Sequence, residues 1–523
     1  MTDFAARYAR AQSGRRHPIS AAFADMQRFD LDPFQIEGCQ ALEDGSSVLV
    51  AAPTGAGKTI VGEFAIHLAM REPGDKAFYT TPMKALSNQK FRELQEVYGA
   101  DEVGLLTGDT NINGNARVVV MTTEVLRNML YADSPALRGL RYVVMDEVHY
   151  LADRFRGPVW EEVILHLPPA VRLVSLSATV SNAEEFGDWL DTVRGDTEVI
   201  VSETRPVPLE QHVLVRGDLL PLFDDRAGVA TAQVNQELTR IRSPKGATYE
   251  NNRRAMEYRS RGDQERRRPH RGGKRPVRPS TAARIERMDR PQVVELLGRS
   301  NLLPAIFFIF SRVGCDAAVQ QVRRAGVRLT DTAERDEIRS IIDERLQPLQ
   351  DEDLAVLGYW EWRENLERGV AAHHAGMLPA FKEVVEELFR RKLVKVVFAT
   401  ETLALGINMP ARTVVLEKLE KFNGEARVAI TSGEYTQLTG RAGRRGIDVE
   451  GHAVVQWTES LDPQAVAALA SRRTYPLNSS FRPTYNMAVN LIDQFGRERA
   501  REILESSFAQ FQADRAVVGL ARQ

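Results

Sequence analysis

Residues 48–59 read VLVAAPTGAGKT. An apolar run, a glycine-punctuated loop and a Lys-Thr pair that opens a helical stretch match [AG]-x4-GK-[ST] in its strand–loop–helix setting. Backbone N–H groups of such a loop converge at a helix N-terminus, where unpaired donors and the helix dipole favour phosphate. Pro53, Thr54, Gly55, Ala56 and Gly57 would form the cradle, Lys58 would reach the β and γ phosphates of ATP, and Thr59 would hold Mg2+.

Outward from this loop, residues 29–202 alternate short β-branched runs (KAFYTT, RVVVMT, YVVMDE, RLVSLSAT, EVIV) with helix-length stretches. That rhythm predicts a parallel α/β sheet. A second series from about residue 291 (AIFFIF, VKVVFAT, RTVVLE, HAVVQW) predicts another, so the fold class is α/β with two sheet domains in tandem. Expected divisions are a tail at 1–24, a first domain at 25–216, a basic insertion at 217–290 and a second domain at 291–473. From 474 to 523 the pattern is helical and reads as the start of a further domain.

The 523 residues suffice for about three or four units, and with 43% hydrophobic and 27% charged residues most of the chain should fold. The longest apolar run, Leu302–Phe310, is interrupted by Pro304 and falls far short of the roughly 20 residues a membrane helix needs. The polar N-terminus lacks a signal-peptide core, so a cytoplasmic protein is expected. Cys39 and Cys315 have no CxxC spacing; they read as reduced core residues and exclude a disulfide framework and a cysteine-rich zinc site. Net charge is −2, but residues 253–290 carry 14 Lys/Arg against 5 Asp/Glu. Such a segment is either a solvated linker or an arm for a phosphate backbone.

After the run YVVM comes Asp146-Glu147-Val148-His149. Two carboxylates at the carboxyl end of a strand lie where open α/β sheets bind ligands. Asp146 suits a Mg2+ shell, which Glu147 could share, and Glu147 also suits a base that orients an attacking water.

The second domain holds QLTGRAGRRGID, with Gln437, Arg441, Arg444 and Arg445. Gln437-x-x-Gly440-Arg441-Ala442-Gly443-Arg444 resembles motif VI of superfamily 2 helicases, and DEVH, SAT (177–179) and ATETLALGINMPA (399–411) fit the same superfamily. TPMKALSNQKFREL, MTTEVLRNMLY, HHAGMLP and PLNSSFRPTYNM are similar to the superkiller-type DExH-box RNA helicases, a family with exosome-associated and bacterial HelY-type members. The likeness spans roughly residues 25–215 and 295–515.

That resemblance implies two RecA-like domains with ATP between them, then the start of a winged-helix region. It assigns Lys58, Glu147, Gln437, Arg441 and Arg444 to catalysis, with the two arginines as fingers, and Phe29 and Gln35 to adenine reading. Nucleic acid would cross the opposite edge of both domains. Its contacts would come from Pro82 and Lys84, from Thr107, Gly108 and Asp109, from Thr122, Thr123 and Glu124, from Ser311 and Arg312, and from Thr400, Glu401 and Thr402. Thr122, Thr400 and Ser311 also suit helix caps. His149, with Ser177 and Thr179, would couple the two sites. The implied partners are single-stranded RNA or DNA and an exonuclease or other RNA-decay factor, with no membrane and no structural zinc.

Family members continue into a helical ratchet domain absent here, so the chain reads as a fragment. His373 and His374 lack further ligands at metal spacing and read as structural. Trp360 and Trp362, two apart on a helix, point to different faces and read as packing. The function expected is ATP-dependent, 3′ to 5′ RNA unwinding or remodelling. The alternatives are a DNA-directed translocase of the same superfamily and an ATP-switched clamp without turnover.

Overall fold

A computed structural model describes residues 16–224, 233–241, 287–346, 358–404, 409–422, 426–459, 461–471 and 476–521. The chain divides into two compact units, Met1–Pro206 with Thr474–Gln523, and Val207–Arg473. Most of the basic segment at 253–290 lies outside the described residues. Its final arginines, Arg287 and Arg290, bond the buried Glu417 carboxylate, so these two are structural.

The first unit is built on eight strands: β1 (Ser47–Ala51), β2 (Lys76–Thr81), β3 (Val103–Leu106), β4 (Asn111–Ile112), β5 (Val118–Thr122), β6 (Leu140–Met145), β7 (Arg172–Ser177) and β8 (Thr197–Val201). Their order is β4-β3-β5-β2-β6-β7-β1-β8, parallel except for the β3–β4 pair. β1 is buried throughout because helices cover both faces. Val48 and Val50 enter a core with Val61 and Phe64, whereas Leu49 and Ala51 enter one with Phe78 and Trp160. The helix Pro18–Asp25 also belongs here, its Phe23 ring 5.1 Å from Phe64.

The C-terminal helices Tyr485–Glu505 and Phe508–Ala521 complete this first unit. Leu477 and Phe508 are buried in one apolar cluster with Phe186 and Trp189. The Trp189 indole N–H donates to Ser506 O at 2.8 Å, and the Asn182 side chain pairs with both backbone groups of Leu477.

In the second unit the strands are β9 (Leu209–Val215), β10 (Asp218–Pro221), β11 (Ala305–Phe308), β12 (Val370–His373), β13 (Val396–Ala399), β14 (Thr413–Leu416), β15 (Glu420–Phe422), β16 (Arg427–Ala429) and β17 (Gly451–Gln456). Seven form one sheet, ordered β10-β9-β17-β14-β11-β13-β12. The chain enters this unit at Val207, ahead of the expected end of the first domain at 216 and the expected start of the second at 291, because β9 pairs in parallel with β17 from Leu209 to Leu214. Residues 217–224 extend the same sheet through β10, so the expected insertion begins as ordered structure. Among the described residues no helix is long and apolar enough to cross a membrane.

Candidate functional site

The strand order of the first unit sorts its loops. Along the carboxyl edge the neighbours run β3, β5, β2, β6, β7, β1. The loops leaving β6, β7 and β1 carry Asp146-Glu147, Ala178-Thr179 and Ala52–Thr59; those leaving β3, β5 and β2 carry Thr107–Asp109, Thr123-Glu124 and Pro82–Lys84. With neighbouring strands about 4.8 Å apart, phosphate-type and nucleic-acid-type segments form two adjoining halves of one edge. In this unit the segments expected to contact nucleic acid thus lie beside the phosphate-type loops on the same edge of the sheet.

Gly55 and Gly57 take φ of +82° and +86°, a left-handed turn that a side chain would strain. Lys58 is buried at the start of the helix Thr59–Arg71, its Nζ donating to Ala52 O at 3.1 Å. Gln35, expected to read adenine, has both atoms of its amide engaged within the chain. It is fully buried, its Oε1 accepting from Asp32 N–H at 2.8 Å and its Nε2 donating to Gly57 O at 2.8 Å. These bonds tie it to the phosphate loop, because the capping box of the helix Pro33–Glu43 aims it inward. Phe29 is half exposed.

Asp146 is buried, and both of its oxygens are engaged. Oδ2 accepts from the Tyr79 hydroxyl at 2.8 Å and Oδ1 from Glu147 N–H at 2.9 Å. Burial, reinforced by Glu147, holds its carboxyl above the ordinary range, opposed by the Tyr79 hydrogen bond and by Lys58 and Lys90. Glu147 sits at φ +54°, a left-handed conformation costly for a non-glycine residue and concentrated at functional sites. A Thr59 hydroxyl and an Asp146 carboxylate are the hard oxygen donors that Mg2+ takes, so the residues present fit that ion.

His149 links two of these loops: its Nδ1 accepts from Ala178 N–H at 3.2 Å. Burial lowers the pKa of this histidine, and because Nδ1 accepts the Ala178 N–H it has no proton there to give Glu147 Oε2, 3.4 Å away. Ser177 and Thr179 flank Ala178, both buried, and Ser177 O accepts from Ala52 N–H at 3.2 Å. The three loops are thus stitched into one frame.

The other half is knit as closely. Lys84 pairs with Asp109 at 2.8 Å, Thr107 donates to Asp109 at 2.9 Å, and Thr123 donates to Thr81 O at 3.3 Å. Arg156, which no sequence motif singled out, bonds both Glu124 and Pro82 O. Tyr79 and Lys90 were also missed. Lys90 is buried between Glu63 and Glu93, with Nζ 5.6 Å from the centre of the Tyr79 ring. Of the expected caps, Ser311 accepts from Gly314 N–H at 3.2 Å, whereas Thr122 and Thr400 make no capping bond.

In the second unit, Ser311-Arg312 and Thr400–Thr402 follow the adjacent strands β11 and β13. Thr400 and Thr402 share a 2.9 Å hydrogen bond, and Glu401 pairs with Lys421 at 2.8 Å. Gln437, half-buried on the helix Ser432–Thr439, precedes Arg441, whose guanidinium donates to Ala404 O at 2.6 Å. Arg444 makes a two-pronged, largely buried pair with Asp448, at 2.7 Å from Nε to Oδ2 and 2.6 Å to Oδ1. Its fork is therefore occupied within its own loop. His373 and His374 bond Glu386 and Asp316. Trp362 stacks on Phe381 at 4.2 Å, while Trp360 is exposed.

Comparison with known proteins agrees with this geometry. Residues 32–186 match the DEAD/DEAH box helicase family and residues 350–446 the helicase conserved C-terminal domain. Tandem RecA-like domains carrying these loops define the core of a superfamily 2 helicase. The chain is 64% identical over 498 residues to "Probable helicase HelY" of Mycobacterium tuberculosis, covering 94% of this chain and 53% of the relative. It is 39% identical over 502 residues to the human exosome RNA helicase MTR4 (95% and 45%) and 38% identical over 509 to the antiviral helicase SKI2 of Saccharomyces cerevisiae (92% and 39%). The chain belongs to the superkiller-type DExH-box helicase family. It spans about half the length of the curated relatives it matches.

Proposed function

We propose that the chain is the motor core of an ATP-dependent RNA helicase that moves 3′ to 5′ on a single strand and remodels RNA during processing or decay. The observation that supports this most is the sorting of loops on the first unit's edge, where the phosphate half adjoins the polynucleotide half and His149 ties Asp146-Glu147 to the Ser177–Thr179 loop. Lys58 binds the terminal phosphates of ATP, and Thr59 and Asp146 hold Mg2+, which when bound neutralises phosphate charge. Glu147 orients the attacking water and accepts its proton. Gln437, Arg441 and Arg444 are assigned to the γ-phosphate by family resemblance.

Pro82, Lys84, Thr107–Asp109 and Thr122–Glu124 hold the strand backbone, with Ser311-Arg312 and Thr400–Thr402 as their counterparts in the second unit. Backbone contacts read no sequence. RNA is preferred to DNA because relatives at 39–40% identity are named as RNA helicases. An RNA-decay nuclease is the partner class this implies.

The direct test is Glu147→Gln. It keeps the shape but cannot take a proton, so ATP and RNA should still bind while turnover collapses. Near-normal multiple-turnover phosphate release by that variant would overturn the catalytic assignment.

A further inference from the structure

The turn at Asp153–Gly157 holds a large apolar ring out in solvent. Phe155 is 82% exposed. This is no slack loop. Asp153 Oδ1 accepts from the N–H groups of Phe155 at 3.0 Å and Arg156 at 2.8 Å, and Gly157 N–H closes onto Asp153 O at 2.9 Å. The Ser480 hydroxyl, from the C-terminal segment, bridges Leu151 O and Asp153 O at 2.8 and 2.7 Å. Gly157 leaves room for that hydroxyl, since a Cβ there would lie 2.0 Å from Ser480 Oγ.

Position and charge select the occupant. Next in sequence, Arg156 bonds Pro82 O and Glu124, both in segments assigned to the polynucleotide. On the other side the exposed Arg154 guanidinium lies 5.5 Å from the centre of the Phe155 ring. An exposed aromatic ring on a rigid support, with the Arg154 guanidinium over it, is what a base of a flexible strand stacks on while the adjoining phosphate meets that arginine. We propose that Phe155 is a stacking platform for one base of single-stranded RNA, with Arg154 against the adjoining phosphate. This rests on the polynucleotide reading of the neighbouring loops given above.

The test uses the full chain and a fluorescein-labelled oligouridylate, with binding followed by anisotropy across a salt series. Phe155→Ala should weaken binding about 5- to 100-fold and leave the salt slope unchanged, because no phosphate contact is lost. Lys84→Ala, a phosphate contact, should instead flatten that slope by about 0.7. Phe155→Trp should bind like the parent, and its added fluorescence, over the parent's background, should be quenched by RNA. Unchanged affinity in Phe155→Ala with RNA-insensitive fluorescence in Phe155→Trp would overturn the platform while leaving the helicase reading in place, and would point to a protein surface instead. Failure of the parent chain to bind oligouridylate would overturn both.

Discussion

The Tyr79 hydroxyl donates to Asp146 Oδ2 at 2.8 Å from a ring that is itself fully buried in β2. A short buried bond of this kind fixes the rotamer of a carboxylate that burial would otherwise push toward protonation. Tyr79→Phe removes only the oxygen. Since a hydrogen bond to a charged group is worth roughly 1.5–3 kcal/mol, affinity for a fluorescent ADP analogue in Mg2+ should fall about tenfold or more, with binding in EDTA nearly unchanged. Equal losses in both conditions would show a general packing defect instead.

Gln35→Ala should weaken ATP and GTP by similar factors, because the side chain braces Gly57 O and Asp32 N–H rather than facing a base. Titration with the two labelled nucleotides checks this. A loss confined to ATP would restore the adenine-reading role.

Arg444 carries two separable burdens if it is a finger. Arg444→Ala should lower kcat about 1000-fold and lower the melting temperature, since it strands the Asp448 carboxylate. Asp448→Asn should lower the melting temperature but keep turnover within severalfold. Equal collapse of turnover in both would place the function in the pair rather than in the guanidinium.

Glu161 supports the docking of the C-terminal segment, accepting from Phe508 N–H at 2.8 Å and from the Ser479 hydroxyl. Burial pushes its carboxyl up from 4.5 to about 7, opposed by these donors. A group whose folded value is raised contributes stability that is whole below 4.5 and is lost as pH rises through 7. The Glu161→Gln amide can donate to Ser479 and cannot ionise, so the variant should lose the fall in melting temperature between pH 4.5 and 7 that the parent shows. An unchanged slope would assign the effect to other groups.

The central strands were legible because β1, β6, β7, β11 and β13 are short β-branched runs bounded by polar loops, and the loops at their ends carried the phosphate chemistry. What stayed hidden is non-local. β9 reads LEQHVLV, half polar, and its place is set by pairing with β17 more than 200 residues later. Leu477 and Phe508 looked like the opening of a new domain, yet they fill the first unit's core beside Trp189. Tyr79 and Arg156 act across 67 and 74 residues on Asp146 and Pro82, separations that no motif spacing encodes. Gln35 stands out in the sequence, and Asp32-x-x-Gln35 is itself a capping-box spacing; what that spacing does not encode is the reach of its amide to Gly57 O.

The central claim is ATP turnover driven by RNA, and steady-state phosphate release measures it most directly. The assay compares no polymer, single-stranded RNA and single-stranded DNA of matched length, at one salt concentration because phosphate contacts are salt-dependent. Slow release alone, strong stimulation by RNA and weaker stimulation by DNA are predicted, with all stimulation abolished in Glu147→Gln. Stimulation by DNA equal to or above that by RNA, or release that no polymer changes, would contradict the account.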